Sequence, residues 1–123
     1  MRITDNSTGL IGENFAVKYL KKQKYKIVEQ NYHSRMGEID IVAQKDKYIV
    51  FVEVKTRDEK SWYDPIFAVT SSKKQKIIKT TQHFIQFNHK YLTEKYQIRF
   101  DVITVVTRDK KPISIEHIEN AFY

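Results

Sequence analysis

Two neighbouring segments of the chain carry three charged residues that could act together on a phosphate ester: Asp40, Glu53 and Lys55. Both segments alternate polar and apolar residues, which predicts β-strands, and the short polar link between them predicts a hairpin. Carboxylates opposed on rigid strands supply the oxygen ligands that Mg²⁺ and Mn²⁺ prefer. A lysine on the same face could position a water molecule or stabilise a phosphate anion. The three side chains are therefore candidates for metal-assisted chemistry, with Asp40 and Glu53 as the metal ligands.

The register of this hairpin decides whether the two acids meet. Its strands are predicted over Gly37–Gln44 and Tyr48–Arg57. If the turn is tight and pairs Gln44 with Ile49, the two acids lie directly opposite each other, whereas a slip of one residue separates them onto opposite faces. One face is then expected to be apolar throughout, formed by Ile39, Ile41, Ala43, Val50, Val52 and Val54.

A solvated strand face is the competing interpretation of these charges. Glu38 and Asp40 would then form surface ion pairs with Lys55. Directly opposed acids repel, however, at a cost on the order of 0.2–1 kcal/mol, so a sheet gains no stability from them. The apolar neighbours Val42 and Phe51 place the charges beside a covered part of the face, which favours a functional site.

A helix is predicted over Leu10–Lys22, with Thr8 as its N-cap. At 100° per residue, Glu13 projects between Leu20 and Val17 on the apolar side. A carboxylate aimed at a core needs a cation, a metal or a proton to neutralise it. Glu13 therefore joins the candidate metal ligands and catalytic residues.

A second long helix is predicted over Lys73–Asn88, capped by Ser71 or Ser72. Cations in a first turn oppose the helix dipole, and a phosphate bound there would reverse that penalty. The residues predicted to contact phosphate at this position are Lys73, Lys74, Gln75 and Lys76. Alternatively, the helix starts later, the lysines belong to a loop and Gln75 is a plain surface residue.

Three further strands complete the predicted order of elements: Tyr25–Glu29, Gln97–Thr107 and a short one near Ile113–Ile115, followed by a C-terminal turn. Within the long strand, Arg99 and Asp101 share a face, and a structural ion pair is the favoured interpretation. Helix, strands, helix and strand in this order predict an α/β or α+β domain with a mixed sheet.

Composition restricts the class of protein. With 123 residues, a single domain over 1–123 is expected. Cysteine is absent, which excludes disulfides, thiolate zinc sites and a cysteine nucleophile. A membrane partner is not expected, because no apolar run approaches the length of a membrane span, and the sequence lacks a signal-peptide core, so a cytoplasmic location is expected.

The net charge is +7, and the lysines cluster without acids over 14–28 and 65–93. Such clusters suit nucleic acid, although a plain solvated surface or an acidic protein partner would also explain them.

Residues flanking the hairpin are further candidates for nucleic-acid contacts. His33, Arg35 and Arg57 lie near its charged end and are predicted to contact phosphates. Trp62 and Tyr63 follow the hairpin in a segment predicted to be irregular. They could stack on unpaired bases, or simply pack against the domain.

The spacing of Asp40 and Glu53-Val54-Lys55 resembles the D…E-x-K signature of the restriction-endonuclease-like nucleases, the PD-(D/E)XK superfamily. More of the chain is similar to the YraN family, an uncharacterised group distantly similar to archaeal Holliday junction resolvases. The similarity starts at GLIGE, residues 9–13, and its other segments are GEIDIVA at 37–43, FVEVKTR at 51–57, the lysine-rich helix start at 73–76 and RFDVI at 99–103.

This resemblance implies a fold, an activity and a set of ligands. The fold is a central mixed sheet flanked by helices, with Asp40, Glu53 and Lys55 as the catalytic core and Glu13 as an additional acid from the first helix. The implied activity is hydrolysis of DNA phosphodiester bonds with Mg²⁺ or Mn²⁺ as cofactor, on branched or single-stranded substrates. A homodimer would supply the two active sites that a symmetric junction requires. A non-catalytic nucleic-acid-binding module on the same fold and a protein-interaction subunit remain the alternatives.

Overall fold

Two helices pack on opposite faces of a mixed β-sheet in the computed structural model, which describes residues 8–60 and 70–122. In chain order the elements are α1 (Thr8–Lys22), β1 (Lys26–Ser34), β2 (Gly37–Lys45), β3 (Tyr48–Asp58), α2 (Ser71–Gln86), a short 3₁₀ helix (His89–Leu92), β4 (Gln97–Arg108) and β5 (Lys111–Phe122). None of the described helices is long and apolar enough to cross a membrane.

The sheet has five strands in the order β1-β2-β3-β4-β5. Only β3 and β4 are parallel, and α2 lies in the connection between them, as a crossover between parallel strands requires. The remaining neighbours pair antiparallel. This is an α/β architecture with a mixed sheet, as predicted, and it is consistent with a restriction-endonuclease-like fold.

Alternation along β3 divides the core into two clusters. Val50 and Val52 pack with the buried face of α1, whereas Ile49 and Phe51 pack with the buried face of α2. All four side chains are almost fully buried. Because burial of each such side chain contributes about 1.5–3 kcal/mol, both helices are held firmly against the central strand. The residues between them on β3 are thereby fixed in position.

A close approach at Gly12 sets the position of α1. A Cβ atom added there would lie only 1.8 Å from Oγ1 of Thr56 on β3. The helix can approach β3 this closely at Gly12 because glycine has no side chain there. The following residue, Glu13, is consequently brought to the sheet surface and is buried.

Several predicted element limits are wrong, most of all at the C-terminus. In place of a short strand and a turn, β5 pairs with β4 along nearly its whole length. The link between them bends at Asp109 and Lys110, with φ of 51° and 62°, the positive values that tight hairpin turns require. Backbone pairing with β4 thus makes a strand of a largely exposed, weakly patterned segment. At the other edge, β1 continues to Ser34 rather than ending at Glu29.

The helix limits also differ from the prediction. Thr8 is the first residue of α1 rather than its cap. Thr70, not Ser71 or Ser72, caps α2: its Oγ1 accepts a hydrogen bond of 3.2 Å from the Lys73 amide. The predicted irregular segment with Trp62 and Tyr63 lies outside the described residues.

Candidate functional site

The β2–β3 hairpin has the predicted register near its turn. Gln44 pairs with Ile49, and the ladder continues to Ile41 opposite Val52. Beyond that pair the two strands separate. The Val54 amide there donates its hydrogen bond to a side chain, Oδ2 of Asp40 at 2.7 Å, rather than to a backbone carbonyl of β2. The charged end of the hairpin is therefore an opening in the sheet rather than a continuation of it.

The alternation of β2 changes at this opening. Ile39 packs in the cluster under α2 together with Val42, so its prediction on the same face as Ile41 is wrong. The neighbouring strand β1 is irregular at the same level, since Asn31 adopts a left-handed backbone with φ of 54°. The change of face leaves Asp40 between the two helical layers.

Asp40 and Glu53 strongly influence each other. Glu53 is 5% exposed, and the two carboxyl groups are close enough to share a hydrogen bond. Burial, followed by the negative charge of Glu53, raises the pKa of Asp40 to about 8, against the opposing hydrogen bond from Val54. Ionisation of both carboxyl groups at once is therefore unfavourable in this protein.

Glu13 extends this acidic site from the first helix. Its side chain is buried, as its position on the helical wheel predicted. The side chain of Asn31 on β1 donates to Glu13 Oε1 at 2.7 Å and so orients the carboxylate. The charge of Glu13 also contributes to the raised pKa of Asp40, as the smallest of its causes. Asn31 is a site residue that pattern reasoning missed.

Two lysines meet the same oxygen of Glu53. The ammonium nitrogen of Lys55 lies 3.4 Å from Oε2, and that of Lys73 lies 2.5 Å from it. Burial, and next the adjacent Lys73, lower the pKa of Lys55. Burial opposes the charge on Lys73, but the hydrogen bond to Glu53 and the negative charges of Glu53 and Asp40 act together against burial, and the pKa of Lys73 is raised. Lys73 was expected among the phosphate contacts, and the structure instead brings it to the carboxylates.

The other predicted contacts at the start of α2 separate onto two sides of the helix. On one side, a cleft of about 270 Å³ lies between α2 and β2, and its lining includes Gly37, Glu38, Thr70, Ser72, Lys73 and Lys76. On the other side, a cleft of about 290 Å³ lies between α2 and the end of β5, lined by Ser71, Lys74, Gln75, Ile78, Ala121 and Phe122. Only the first cleft adjoins the carboxylate site, through Lys73.

The arginines near the hairpin differ in exposure. Arg35 is exposed in the turn between β1 and β2, whereas Arg57 is half-buried in β3, two residues after Lys55. The Glu38 carboxylate instead lies 3.3 Å from Nδ1 of the His33 ring. The pair between Glu38 and Lys55 that the surface interpretation required is replaced by this contact.

The donor set at the site suits a hard divalent cation. In residues 8–60 and 70–122, no group of three or more His, Asp or Glu side chains surrounds one metal position. Two carboxylates are nevertheless what Mg²⁺ commonly takes from a protein, together with waters and substrate phosphate. Asp40 and Glu53 provide that pair, and a cation held between them would offset the burial and the charge of Glu53 that together raise the pKa of Asp40.

Sequence comparison places the chain among known proteins. Residues 12–105 match the model of the Uncharacterised protein family UPF0102. The chain belongs to the UPF0102 family. This confirms the predicted resemblance, since YraN-type proteins form that family.

UPF0102 relatives align along nearly the full chain. A UPF0102 protein from Legionella pneumophila is 42% identical over 115 residues, 93% of this chain and 92% of the relative. Another from Geobacter metallireducens is 44% identical over 126 residues, 99% of this chain and 97% of the relative. The region that matches the UPF0102 model contains all the residues gathered at the opening: Glu13, Asn31, Asp40, Glu53, Lys55 and Lys73. The family is uncharacterised, so membership itself assigns no function.

Proposed function

We propose that this UPF0102 protein is a metal-dependent nuclease that binds DNA and hydrolyses its phosphodiester bonds. The observation that carries the proposal is the pair of mutually repelling carboxylates, Asp40 and Glu53, at an opening in the sheet beside Lys55. Buried like charges destabilise a fold, so such a pair is expected where a cation or reacting group compensates it. A carboxyl group with a strongly raised pKa, such as that of Asp40, is a common feature of catalytic sites.

Each site residue has a role in this mechanism. Asp40 and Glu53 would hold Mg²⁺ or Mn²⁺, with Glu13 completing the acidic shell. A metal held there would supply an activated water and would neutralise charge on the scissile phosphate. Lys55, whose pKa is lowered by burial, would orient the attacking water or donate to a phosphate oxygen.

The basic surface supports DNA as the substrate. The chain carries a net charge of +7, and Lys76 lies in the cleft beside the carboxylates. Lys74 and Gln75 in the second cleft, with Arg35 and Arg57, would contact neighbouring phosphates. Branched or single-stranded DNA and a homodimer belong to this proposal, as does a cytoplasmic location.

A non-catalytic nucleic-acid-binding module is the second candidate. The ion pair between Lys73 and Glu53 favours it, because a lysine already neutralises one of the two carboxylates. In that case the lysines and arginines would bind DNA, and the acidic residues would only organise them. A third hypothesis is that the protein is a subunit whose basic surface binds an acidic protein.

Cleavage and binding by paired variants separate these functions. Wild-type protein should cut linear, single-stranded or branched DNA with Mn²⁺ or Mg²⁺, and Glu53→Gln and Lys55→Ala should abolish cleavage while both variants still bind DNA. Lys111→Ala, an exposed lysine on β5, is the control for loss of one positive charge. If wild-type protein cuts none of these substrates with either metal, the binding module takes precedence. If log affinity does not fall with log salt concentration, DNA is not the partner.

A further inference from the structure

Lys73 differs from Lys55 in how it reaches Glu53. Both ammonium groups approach the same oxygen, Oε2, and Lys73 is the closer one at 2.5 Å. Lys55 extends from the central strand and its side chain is 19% exposed, whereas Lys73 extends from the first turn of α2 and is 42% exposed. Lys73 therefore has room to move toward solvent, and Lys55 is confined.

The position of Lys73 conflicts with a metal on the carboxylate pair. A divalent cation held by Asp40 and Glu53 requires an oxygen of Glu53, and Lys73 already holds Oε2. Two positive charges at about 4 Å repel strongly where the surroundings are partly buried. The ammonium group consequently has to leave before the metal can bind fully.

A second position for the Lys73 ammonium lies next to the site. Lys73 lines the cleft of about 270 Å³ between α2 and β2, together with Ser72 and Lys76. Thr70, Ser72 and Lys76, at the start of α2, also line this cleft, and a helix N-terminus with lysines attracts phosphate. A DNA phosphate in the cleft would give Lys73 a new partner when it leaves Glu53.

We propose that Lys73 is a gating residue that couples the two ligands: it occupies Glu53 in the metal-free protein and moves to a DNA phosphate as the metal enters. This inference rests on the proposed function, since it requires both metal and DNA at the site. DNA then raises metal affinity by removing the competing ammonium. By linkage, metal raises DNA affinity by the same factor.

Mn²⁺ binding to the free protein tests the first half of the proposal. Lys73→Gln removes the competing charge and should bind Mn²⁺ about tenfold more tightly than wild type. Lys73→Arg keeps the charge and should stay close to wild type. Lys74→Gln is the matched control: it makes the same change one residue further along α2, where the ammonium lies 5.8 Å from the Phe122 ring centre. Its Mn²⁺ affinity should change by less than about twofold. Free Mn²⁺ is measured by electron paramagnetic resonance, and melting curves verify folding.

Mn²⁺ binding in the presence of DNA tests the second half. A single-stranded oligonucleotide with phosphorothioate linkages throughout serves as a slowly hydrolysed probe. It should raise the Mn²⁺ affinity of wild type about tenfold, and that of Lys73→Gln much less.

Two results overturn the proposal, and they are distinguishable. If wild type and Lys73→Gln bind Mn²⁺ equally well, Lys73 is not a gate, and the proposed nuclease site stands. If neither protein binds Mn²⁺ with or without the oligonucleotide, both the gate and the proposed metal-dependent function are wrong.

Discussion

Two aspartates of the same sheet, the buried Asp101 and the half-buried Asp40, have opposite surroundings. Asp101 on β4 accepts hydrogen bonds from Arg99 at 2.9 and 2.8 Å, from His117 at 2.6 Å and from the Asn120 amide at 3.0 Å. Burial alone would raise its pKa, but the bonds from His117 and Arg99 outweigh burial and hold the pKa below its usual value. Asp40, by contrast, has the Val54 amide and an acidic neighbour, and its pKa rises to about 8.

The difference teaches how to tell a structural acid from a functional one. The donors to Asp101 are themselves bonded: Tyr19 contacts Nδ1 of His117 at 2.9 Å, and Arg99 donates to Tyr25 at 2.6 Å. This network joins α1, β4 and β5, and its charges compensate within the protein. At Asp40 the hydrogen bond from the Val54 amide does not compensate a negative charge on the carboxyl group, so a bound cation or proton is needed to do so. A shortage of donors, rather than burial or charge alone, marks the site.

The same substitution at both aspartates gives the largest expected contrast. Asp101→Asn removes the buried charge that pairs with the half-buried Arg99 and should lower the free energy of unfolding by about 3–5 kcal/mol, as breaking a buried ion pair does. Urea unfolding at neutral pH measures the change. A loss below that of an ordinary surface variant would show that Asp101 is no structural anchor.

Metal should affect the two regions differently. At a hundredfold excess over its dissociation constant, Mn²⁺ should stabilise wild type by about 2.7 kcal/mol. Asp40→Asn should gain much less, whereas Asp101→Asn, if folded, should gain as much as wild type. Melting curves with and without Mn²⁺ give the values. A wild-type protein indifferent to Mn²⁺ would remove the proposed ligand pair.

The close contact between Gly12 of α1 and Thr56 of β3 holds Glu13 at the acidic site. Gly12→Ala should destabilise the protein by about 1–3 kcal/mol, because the new methyl group collides with Thr56 and the gain in helix propensity is smaller. Asn14→Ala, an exposed position of the same helix, is the control. Unchanged stability of Gly12→Ala would mean that α1 is free to move outward, and that Glu13 is not held at the sheet by this contact.

Asp40→Asn should have the smallest effect at neutral pH. It retains an oxygen that can accept the Val54 amide, and it replaces a carboxyl group whose ionisation is opposed by burial and by Glu53, so metal-free stability should stay the same or rise by about 0.5–1 kcal/mol. Thermal melting without metal tests this. If Asp40 instead served an ion pair with Lys55, the substitution would lower stability and metal would change nothing.

The pH dependence sharpens the same comparison. Because the pKa of Asp40 is raised from 3.8 to about 8 in the folded protein, its contribution is fully present below pH 3.8 and is lost as pH rises through about 8. Asp101 has a lowered pKa, so its contribution is present above pH 3.8 and is lost in acid. The advantage of Asp40→Asn over wild type should therefore grow between pH 6 and pH 9, in urea unfolding. An advantage that shrinks with rising pH would contradict the raised pKa.

Short-range patterns predicted the hairpin well. Strict alternation and a tight turn fixed the pairing of Ile41 with Val52, and helical periodicity predicted the burial of Glu13. In both cases the informative residues lie within one element or one turn of each other. The roles of the site residues in catalysis remain predictions.

Contacts between distant elements were beyond such patterns. The reach of Lys73 to Glu53 depends on where α2 lies over β3, which no local periodicity contains. The change of face at Ile39 depends on the irregularity in β1, and the length of β5 on pairing with β4. One feature of the sequence could have indicated the contact between Lys73 and Glu53: lysines in the first turn of a helix are unfavourable and need a negative partner. A bound phosphate would satisfy that need equally well.

The hydrogen bond from the Val54 amide to Asp40 gives the site its own spectroscopic reporter. This amide proton is bound to a carboxylate that titrates, at 2.7 Å, rather than to a carbonyl of the neighbouring strand. Its nuclear magnetic resonance frequency will follow whatever happens at Oδ2: proton loss, a cation or a change in Glu53. One backbone signal in a ¹⁵N-labelled sample can thus follow occupation of the site under conditions where no reaction takes place.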